Sequence, residues 1–220
     1  MTAEEYFGDW MQVMDKQYLL TIMKWLKTFD KSLLRPNYPN IFKAFKMCPL
    51  SKCNVVMLGM DPYPQPGVAT GLLFGNSSDT AESELSPSLK VVKSTLPVMK
   101  EGESFDNTME YWARQGILMI NSALTCQTNV VGSHVAVWRP FIANLLEGIS
   151  LKGDGMVFIL FGKQARSFRP FIKGYHEIIE MEHPAYFARK GEKMPGQFFL
   201  DMNEYLKLVG KPTIKFYKNE

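Results

Sequence analysis

Residues 55–76 read VVMLGMDPYPQPGVATGLLFGN, and this stretch decides the fold that the sequence predicts. Its first four residues are apolar, two of them are β-branched, and Gly59 ends the run, which is typical of a short buried strand. Three prolines and two further glycines interrupt the chain before residue 72, so the strand leads into a shaped loop. The loop carries Asp61 and Tyr63, and Phe74 lies at its far end. A carboxylate at the carboxyl end of a buried strand is a common place for chemistry in an α/β sheet.

Three more segments are predicted as buried strands, and helical patterns separate them. They are Ile117 to Ile120, Met156 to Phe161 and Glu177 to Met181. Strands that alternate with helices favour a parallel sheet. We therefore expect one α/β domain over residues 1–220, with a central, mostly parallel four-stranded sheet and helices on both faces.

Helices are predicted from apolar periodicity. Leu19, Ile22, Met23 and Leu26 recur at the spacing of one helix face. The other predicted helices are 41–45, capped by Asn40; 89–99; 109–115, with Trp112 facing inward; 141–149; and 198–208.

Polar side chains follow three of the predicted strands. Asp61, Asn121 and His183 each lie within three residues of a predicted strand end. Because the carboxyl ends of parallel strands meet at one edge of a sheet, we expect these side chains to share that edge. Two of them also have a structural alternative: Asp61 is a possible N-cap of a following helix, and Asn121 a simple strand terminator. His134 has no obvious local partner and is interpreted as structural.

Composition narrows the classes of protein. The chain has 220 residues, 46% of them hydrophobic, and a formal net charge of +3, which fits a globular protein and permits a polyanionic partner. Cys48, Cys53 and Cys126 are too few for a disulfide framework or a four-cysteine cluster, and they are predicted to be reduced core thiols. Neither a signal peptide nor an apolar run of transmembrane length is recognised, so we expect an intracellular protein, cytoplasmic if the source is prokaryotic.

The Asp61 loop resembles a known family. The segments GMDPYP and GLLF are similar to the water-activating loop of the uracil-DNA glycosylases whose motif reads G-Q-D-P-Y-H or G-Q-D-P-Y-P. Further segments resemble other family motifs in the same order, over about residues 38 to 200. They are 38–45, before the first strand; 86–90, the proline- and serine-rich loop; 118–122, the strand with the uracil-reading asparagine; 161–162, the glycine-serine loop; and 183–184, the DNA-intercalation loop.

The resemblance implies removal of uracil from DNA by hydrolysis of its N-glycosidic bond, after the base has left the stack. Asp61 would stabilise the cationic sugar and orient the attacking water, while His183 would donate a hydrogen bond to uracil O2. Asn121 would read the base, since its amide donates to O4 and accepts from N3–H, and cytosine inverts both demands. The other implied substrate-binding residues are Phe74, stacked on the ring; Tyr63, against C5; and Met60, through its backbone.

The resemblance also implies a DNA interface. Ser88 would hold a phosphate, although a serine after proline also commonly starts a helix. Lys163, with Arg166 and Arg169 nearby, is either a phosphate site or a solvated helix face. The implied DNA-binding residues are Pro87, Ser88, Gly162, Lys163, Ala185, Tyr186 and Phe187.

Several residues depart from the family pattern. Met60 stands in place of glutamine, Thr70 in place of a common histidine, and Lys163 in place of serine, whereas Pro64 for histidine is a variant that the family itself shows. Residues 183–187 read HPAYF where H-P-S-P-L is usual. The phosphate-binding serine and the wedge leucine are therefore absent, and an aromatic wedge is expected at Phe187, with Tyr186 beside it.

Two other functions stay open on the sequence. One is a glycosylase-like subunit that binds DNA or assists replication with little catalysis, although binding alone does not require Asp61, Asn121 and His183 together. The other is a glycosylase for another modified pyrimidine, which the bulk of Tyr63 disfavours. The expected partner is uracil-containing DNA, a proteinaceous glycosylase inhibitor is a second possible partner, and we expect a monomer that needs no metal, cofactor or membrane.

Overall fold

A parallel four-stranded sheet forms the centre of the protein, whose computed structural model describes residues 2–219. The eight strands of this range are β1 Leu34–Arg35, β2 Val55–Gly59, β3 Glu103–Ser104, β4 Ile117–Asn121, β5 Cys126–Gln127, β6 Val157–Phe161, β7 Glu177–Met181 and β8 Lys218–Asn219. The central sheet has the order β4-β2-β6-β7, and its three pairings are parallel. β1 pairs with β5 and β3 with β8, both antiparallel. The predicted α/β class and the four main strands are confirmed.

The four central strands differ in burial. Every residue of β2, β4 and β6 is buried, whereas β7 is half-buried with Glu180 exposed. The prediction of four buried strands is therefore wrong for β7. β7 is an edge strand, as β4 is, but its side chains are only half covered, and this accommodates the two glutamates of its sequence EIIEM.

Helices flank the sheet, together with short 3₁₀ turns. The α-helices of the described range are α1 Ala3–Phe7, α2 Lys16–Thr28, α3 Lys43–Met47, α4 Pro87–Ser94, α5 Glu110–Arg114, α6 Val135–Lys152, α7 Gly162–Arg166, α8 Pro184–Lys190 and α9 Gln197–Leu208. As predicted, Leu19, Ile22 and Leu26 bury one face of α2, and Trp112 points into the core.

Three predicted helices have different bounds. α3 begins at Lys43 and Asn40 does not cap it, because Asn40 closes a preceding 3₁₀ turn. α4 ends at Ser94 instead of Met99, since Pro97 has no amide hydrogen and disfavours helical backbone before it. α6 begins at Val135 and runs through Pro140, because its buried apolar face outweighs the one missing backbone bond.

Two further observations concern the whole described range. The three cysteines are buried free thiols, as predicted. Between residues 2 and 219, no helix combines the length and the apolar character that a membrane span requires.

Candidate active site

The first two strands of the site meet at a glycine. Gly59 ends β2 and lies opposite Asn121, which ends β4. A Cβ atom on Gly59 would lie 2.5 Å from Asn121 Oδ1, so a larger residue would displace the amide. Glycine at this position therefore allows the Asn121 side chain to lie across the end of β2.

One narrow pocket brings the predicted catalytic and base-reading residues together. It lies at the carboxyl ends of the central strands. Its polar and aromatic lining consists of Asp61, Tyr63, Phe74, Asn121 and His183, and Ile41, Pro62, Leu72, Leu73 and Leu124 are among its apolar walls. The expected convergence of Asp61, Asn121 and His183 on one sheet edge is therefore present.

Asp61 does not cap a helix. The chain that follows it is irregular as far as the short turn at residues 82–84, so the N-cap interpretation is wrong. Its Oδ2 instead accepts a hydrogen bond of 2.5 Å from the backbone N–H of Gly132. Burial raises the pKa of the Asp61 carboxyl above its ordinary value, and the Gly132 hydrogen bond opposes that rise.

The loop that carries Asp61 is held against the end of β4. The carbonyl of Met60 accepts hydrogen bonds from the N–H of Ala123 at 3.0 Å and from Ser122 Oγ at 2.8 Å. The departure from glutamine at Met60 therefore leaves the backbone of this turn anchored.

Asn121 contains an unpaired polar atom. The residue is 8% exposed, and among the described residues nothing donates a hydrogen bond to its Oδ1. Buried polar atoms in folded proteins almost always have a partner, so an orphaned acceptor in a pocket points to a donor that arrives with a ligand.

The imidazole ring of His183 is neutral, and its Nε2–H is a hydrogen-bond donor. It is the N-cap of α8, and its Nδ1 accepts a hydrogen bond of 3.2 Å from the N–H of Ala185. Because Nδ1 is an acceptor, the ring proton of neutral His183 is on Nε2. Burial, together with the nearby charge of Arg189, lowers the pKa of His183 to about 4. The ring is therefore neutral at physiological pH.

Two aromatic residues, Phe74 and Tyr63, line the pocket. Phe74 is buried in edge-to-face contact with Phe161 and His183, and its φ of 64° is unusual for a bulky residue. Strained backbone of this kind is concentrated at functional sites. The half-buried Tyr63 lies 3.4 Å, hydroxyl to carbonyl oxygen, from Phe74, and burial raises the pKa of its phenol to about 12.

The proline- and serine-rich segment is partly covered. Pro87 is exposed, but Ser88 is only 3% exposed. Ser86 is the N-cap residue of α4, and its hydroxyl donates to Asn76 Oδ1 at 2.7 Å instead of capping the helix. A helix therefore begins at this segment, as the sequence indicates, but the side chain of its N-cap residue does not cap it.

Gly162 and Lys163 follow β6 beside the pocket. Gly162 has a φ of 83°, and a Cβ on it would lie 3.2 Å from His183 Cβ, so glycine permits the close approach of these two strand ends. Lys163 is exposed, and among residues 2–219 no carboxylate lies within ion-pair distance of it. Arg166 and Arg169, in contrast, pair with two glutamates, Glu182 at 2.6 Å and Glu180 at 3.2 Å.

The segment after His183 is helical. Ala185, Tyr186 and Phe187 lie in the first turns of α8, whereas the resemblance implies a loop here. Pro184 at the first helical position favours this start. All three residues are half-buried, Phe187 packs partly against the core, and its ring meets that of Tyr186 edge to face at 5.3 Å.

His134 has the structural role that the sequence indicates. It is 3% exposed, its Nδ1 lies 3.0 Å from Thr125 Oγ1, and its ring packs against Trp25 and Phe29. Two glycines of the site, Gly59 and Gly132, were not predicted. The sequence gives only a weak indication of their roles: Gly59 lies at a strand end, and Gly132 lies two residues before the buried His134.

Comparisons with known proteins agree with this geometry. The family model described as the uracil DNA glycosylase superfamily matches residues 45–207, more than half of the chain. A uracil-DNA glycosylase of Campylobacter jejuni is 32% identical over 215 residues, covering 94% of this chain and 91% of that protein. Uracil-DNA glycosylase 2 of Bacteroides fragilis is 30% identical, with 92% of each chain covered.

Solved structures show the same fold. The crystal structure of mimivirus uracil-DNA glycosylase has a TM-score of 0.73 at 21% identity, covering 98% of this chain and 93% of the other. A mimivirus UNG Y322L structure in complex with UGI also has a TM-score of 0.73, at 20% identity, with 97% and 93% covered. On the family model and the two bacterial relatives, this chain belongs to the uracil-DNA glycosylase superfamily.

Proposed function

We propose that Asp61, Asn121 and His183 carry out the excision of uracil from DNA in this protein. The protein is a DNA-repair glycosidase, a hydrolase of N-glycosyl bonds that releases free uracil and leaves an abasic site. The target base must leave the stack before it can reach these residues.

The buried, unpaired Oδ1 of Asn121 carries the proposal. Uracil presents an N3–H donor to this oxygen and an O4 acceptor to the neighbouring NH₂ group. Cytosine has an unprotonated N3 and an N4 donor, so both contacts would fail. A site built to hydrogen-bond a substrate rejects an analogue that leaves its buried polar groups unpaired.

His183 would stabilise the leaving base. Negative charge develops on uracil O2 as the glycosidic bond breaks, and the Nε2–H of His183 is available to donate to it. With a pKa of about 4, the ring is neutral at pH 7 and acts as a hydrogen-bond donor.

Asp61 would act on the sugar and the water. The sugar develops oxocarbenium character, which an ionised carboxylate stabilises, and the same group can orient the attacking water. Burial raises the pKa of the Asp61 carboxyl, and the hydrogen bond that Gly132 donates to Oδ2 opposes this rise and so favours the ionised form.

The remaining pocket residues would select and hold the base. Phe74 would stack on the ring, and Tyr63 would occupy the space that the C5 methyl of thymine requires. Backbone N–H groups near Met60 and Asp61 would help to bind O2. The GMDPYP loop, with its residual match to G-Q-D-P-Y-P, supports membership of that subfamily despite Met60 and Thr70.

The DNA interface would follow the same sheet edge. Pro87 and Ser88 would approach one phosphate, Gly162 and Lys163 another, and residues 185–187 would contact the duplex at the flipped base. The partner is uracil-containing DNA, and a UGI-type inhibitor protein is a second proposed partner because a mimivirus neighbour was solved with one. We further propose that one domain over residues 1–220 acts as a monomer inside the cell, where its DNA substrate lies.

A cleavage assay tests this function. The protein is incubated in EDTA with labelled single- and double-stranded oligonucleotides that carry one uracil, thymine or cytosine, and alkali then cleaves abasic sites. We expect cleavage at uracil only, because Asn121 and Tyr63 would reject cytosine and thymine. We expect it to occur in EDTA, because the residues assigned here need no metal. Failure with both substrates, together with retained DNA binding, would favour the alternative of a binding subunit.

A further inference from the structure

A loop far along the chain reaches the proposed catalytic carboxylate. Residues 126–134 follow β4, and Gly132 in this loop donates its backbone N–H to Asp61 Oδ2 at 2.5 Å. We propose that Gly132 is a positioning residue that holds the Asp61 carboxylate in its working orientation. This inference rests on the proposed function of Asp61.

The loop is anchored along its length. At its start, β5 pairs with β1, and Thr128 N donates to the carbonyl of Leu33 at 2.8 Å. In its middle, Asn129 N donates to the carbonyl of Pro64 at 2.9 Å, which ties it directly to the Asp61 loop. At its end, His134 is buried among aromatic rings. The Gly132 N–H is therefore presented by a supported backbone, although the loop lies at the surface.

The conformation of Gly132 favours glycine. Its φ is 74°, a left-handed value that β-branched residues avoid and that asparagine tolerates. A Cβ at this position would also lie 3.2 Å from the terminal methyl of Met60, a flexible group that can move. The main effect of a larger residue would thus be to shift the backbone that carries the N–H.

The contact divides the two oxygens of Asp61 between two tasks. Oδ2 is held by Gly132, and among the described residues no protein donor bonds Oδ1, which is left for water. A hydrogen bond to an ionised carboxylate is stronger than one between neutral groups. The contact therefore holds the orientation of the Asp61 side chain and also stabilises its ionised form.

The fall in rate at acidic pH, the acid limb of the pH–rate profile, measures the loss of the negative charge of Asp61. The other titratable groups around Asp61 keep one state between about pH 5 and 8, because the pKa values of Tyr63 and Cys126 are raised to about 12 and that of His183 is lowered to about 4. Arg35 is the cation whose charge acts on Cys126. An active enzyme needs ionised Asp61. Losing the Gly132 donor raises the pKa of Asp61, so the acid limb should move to higher pH.

The test compares matched glycine variants in single-turnover excision assays. Gly132→Val should lower the rate about 10- to 100-fold, move the acid limb to higher pH, and change affinity for uracil-containing DNA by about twofold or less. Gly132→Asn should restore most of the rate, because asparagine accepts a positive φ. Gly210→Val is the control, since Gly210 follows α9, away from the Asp61 loop, with a φ of 71° and open space around it.

A double mutant separates positioning from general damage. In an Asp61→Ala background, Gly132→Val should have almost no further effect, because the contact is already gone. The inference would be overturned if Gly132→Val and Gly210→Val had equal rates and unshifted acid limbs, or if the Asp61 and Gly132 effects simply added. If Gly132→Val does not fold, Gly132→Ala takes its place. Wild-type protein that cleaves no uracil would instead overturn the proposed function.

Discussion

The two sides of the pocket are built differently. Asp61 and Asn121 follow β2 and β4, whose residues are all buried, and the carbonyl of Met60 is tied to the end of β4 by two hydrogen bonds. His183 follows β7, a half-buried edge strand, and leads into α8 with its exposed basic end. The first side is supported from within the core, and the second lies at the surface.

The departures from the family pattern have different consequences on the two sides. On the buried side, Met60 and Thr70 replace side chains, but the carboxylate and amide proposed to act remain in place. On the edge side, Lys163 and the HPAYF segment replace the residues expected to contact DNA. This contrast suggests that the chemistry is constrained by the core, whereas the DNA contacts can be rebuilt from other side chains.

The largest effect is expected on the buried side. Asp61→Asn keeps the shape of the side chain but removes its charge, so the single-turnover rate should fall by about 10²- to 10⁴-fold. Binding to uracil-containing DNA, measured by fluorescence anisotropy, should change little because the proposed DNA contacts involve other residues.

Asp154→Asn is a suitable control for this prediction. Asp154 is exposed in the turn before β6, at the opposite end of the sheet, and its substitution should leave the rate unchanged. If Asp61→Asn stayed within about threefold of wild type, a barrier change of under about 1 kcal/mol, the buried side would not carry the chemistry.

An intermediate effect is expected at the aromatic pair of α8. Flipping a base leaves a gap in the stack, and an inserted ring that stacks on the neighbouring base could contribute about 1–3 kcal/mol. Phe187→Ala should therefore reduce excision from duplex DNA about tenfold more than excision from single strands, which have little stack to hold open. Phe187→Leu, which retains an apolar side chain, should preserve most of the activity, and Tyr186→Ala should have a smaller effect than Phe187→Ala.

The packing of Phe187 against the core makes thermal unfolding a necessary companion measurement. A lower melting temperature is compatible with a wedge that also packs. Equal fractional losses of activity on duplex and single-stranded substrates would contradict a wedge and would show that Phe187 acts only by packing. A 2-aminopurine beside uracil should report reduced unstacking in Phe187→Ala if the wedge assignment is correct.

The sequence predicts this site well where local pattern determines structure. The buried strands and the polar residues after them follow from short apolar runs that end at glycine or at a polar residue, and Asp61 and Asn121 are found in this way. The contact between Asp61 and Gly132 joins residues 71 positions apart, so no local pattern reveals it. The proton position on His183 depends on the N–H of Ala185, and the helical state of residues 185–187 replaces a loop expected by analogy.

The smallest effect is expected at Lys163, which tests whether the edge side binds phosphate. Arg166 and Arg169 are already paired with glutamates, whereas Lys163 is exposed after Gly162, beside the pocket. Each phosphate contact releases about one counterion, so Lys163→Ala should lower the slope of log affinity against log salt concentration by about 1. The loss should be similar for DNA with and without uracil, since a phosphate contact does not read the base.

Lys152 provides a charge-matched control for this measurement. It is exposed at the end of α6, before β6, and so lies at the opposite end of the sheet from the pocket. Lys152→Ala removes the same charge and should leave the slope almost unchanged. Equal slopes for the two variants would mean that Lys163 contributes only to the overall field of the protein. A lower slope for Lys163→Ala alone would show that the cation at this strand end contacts a phosphate.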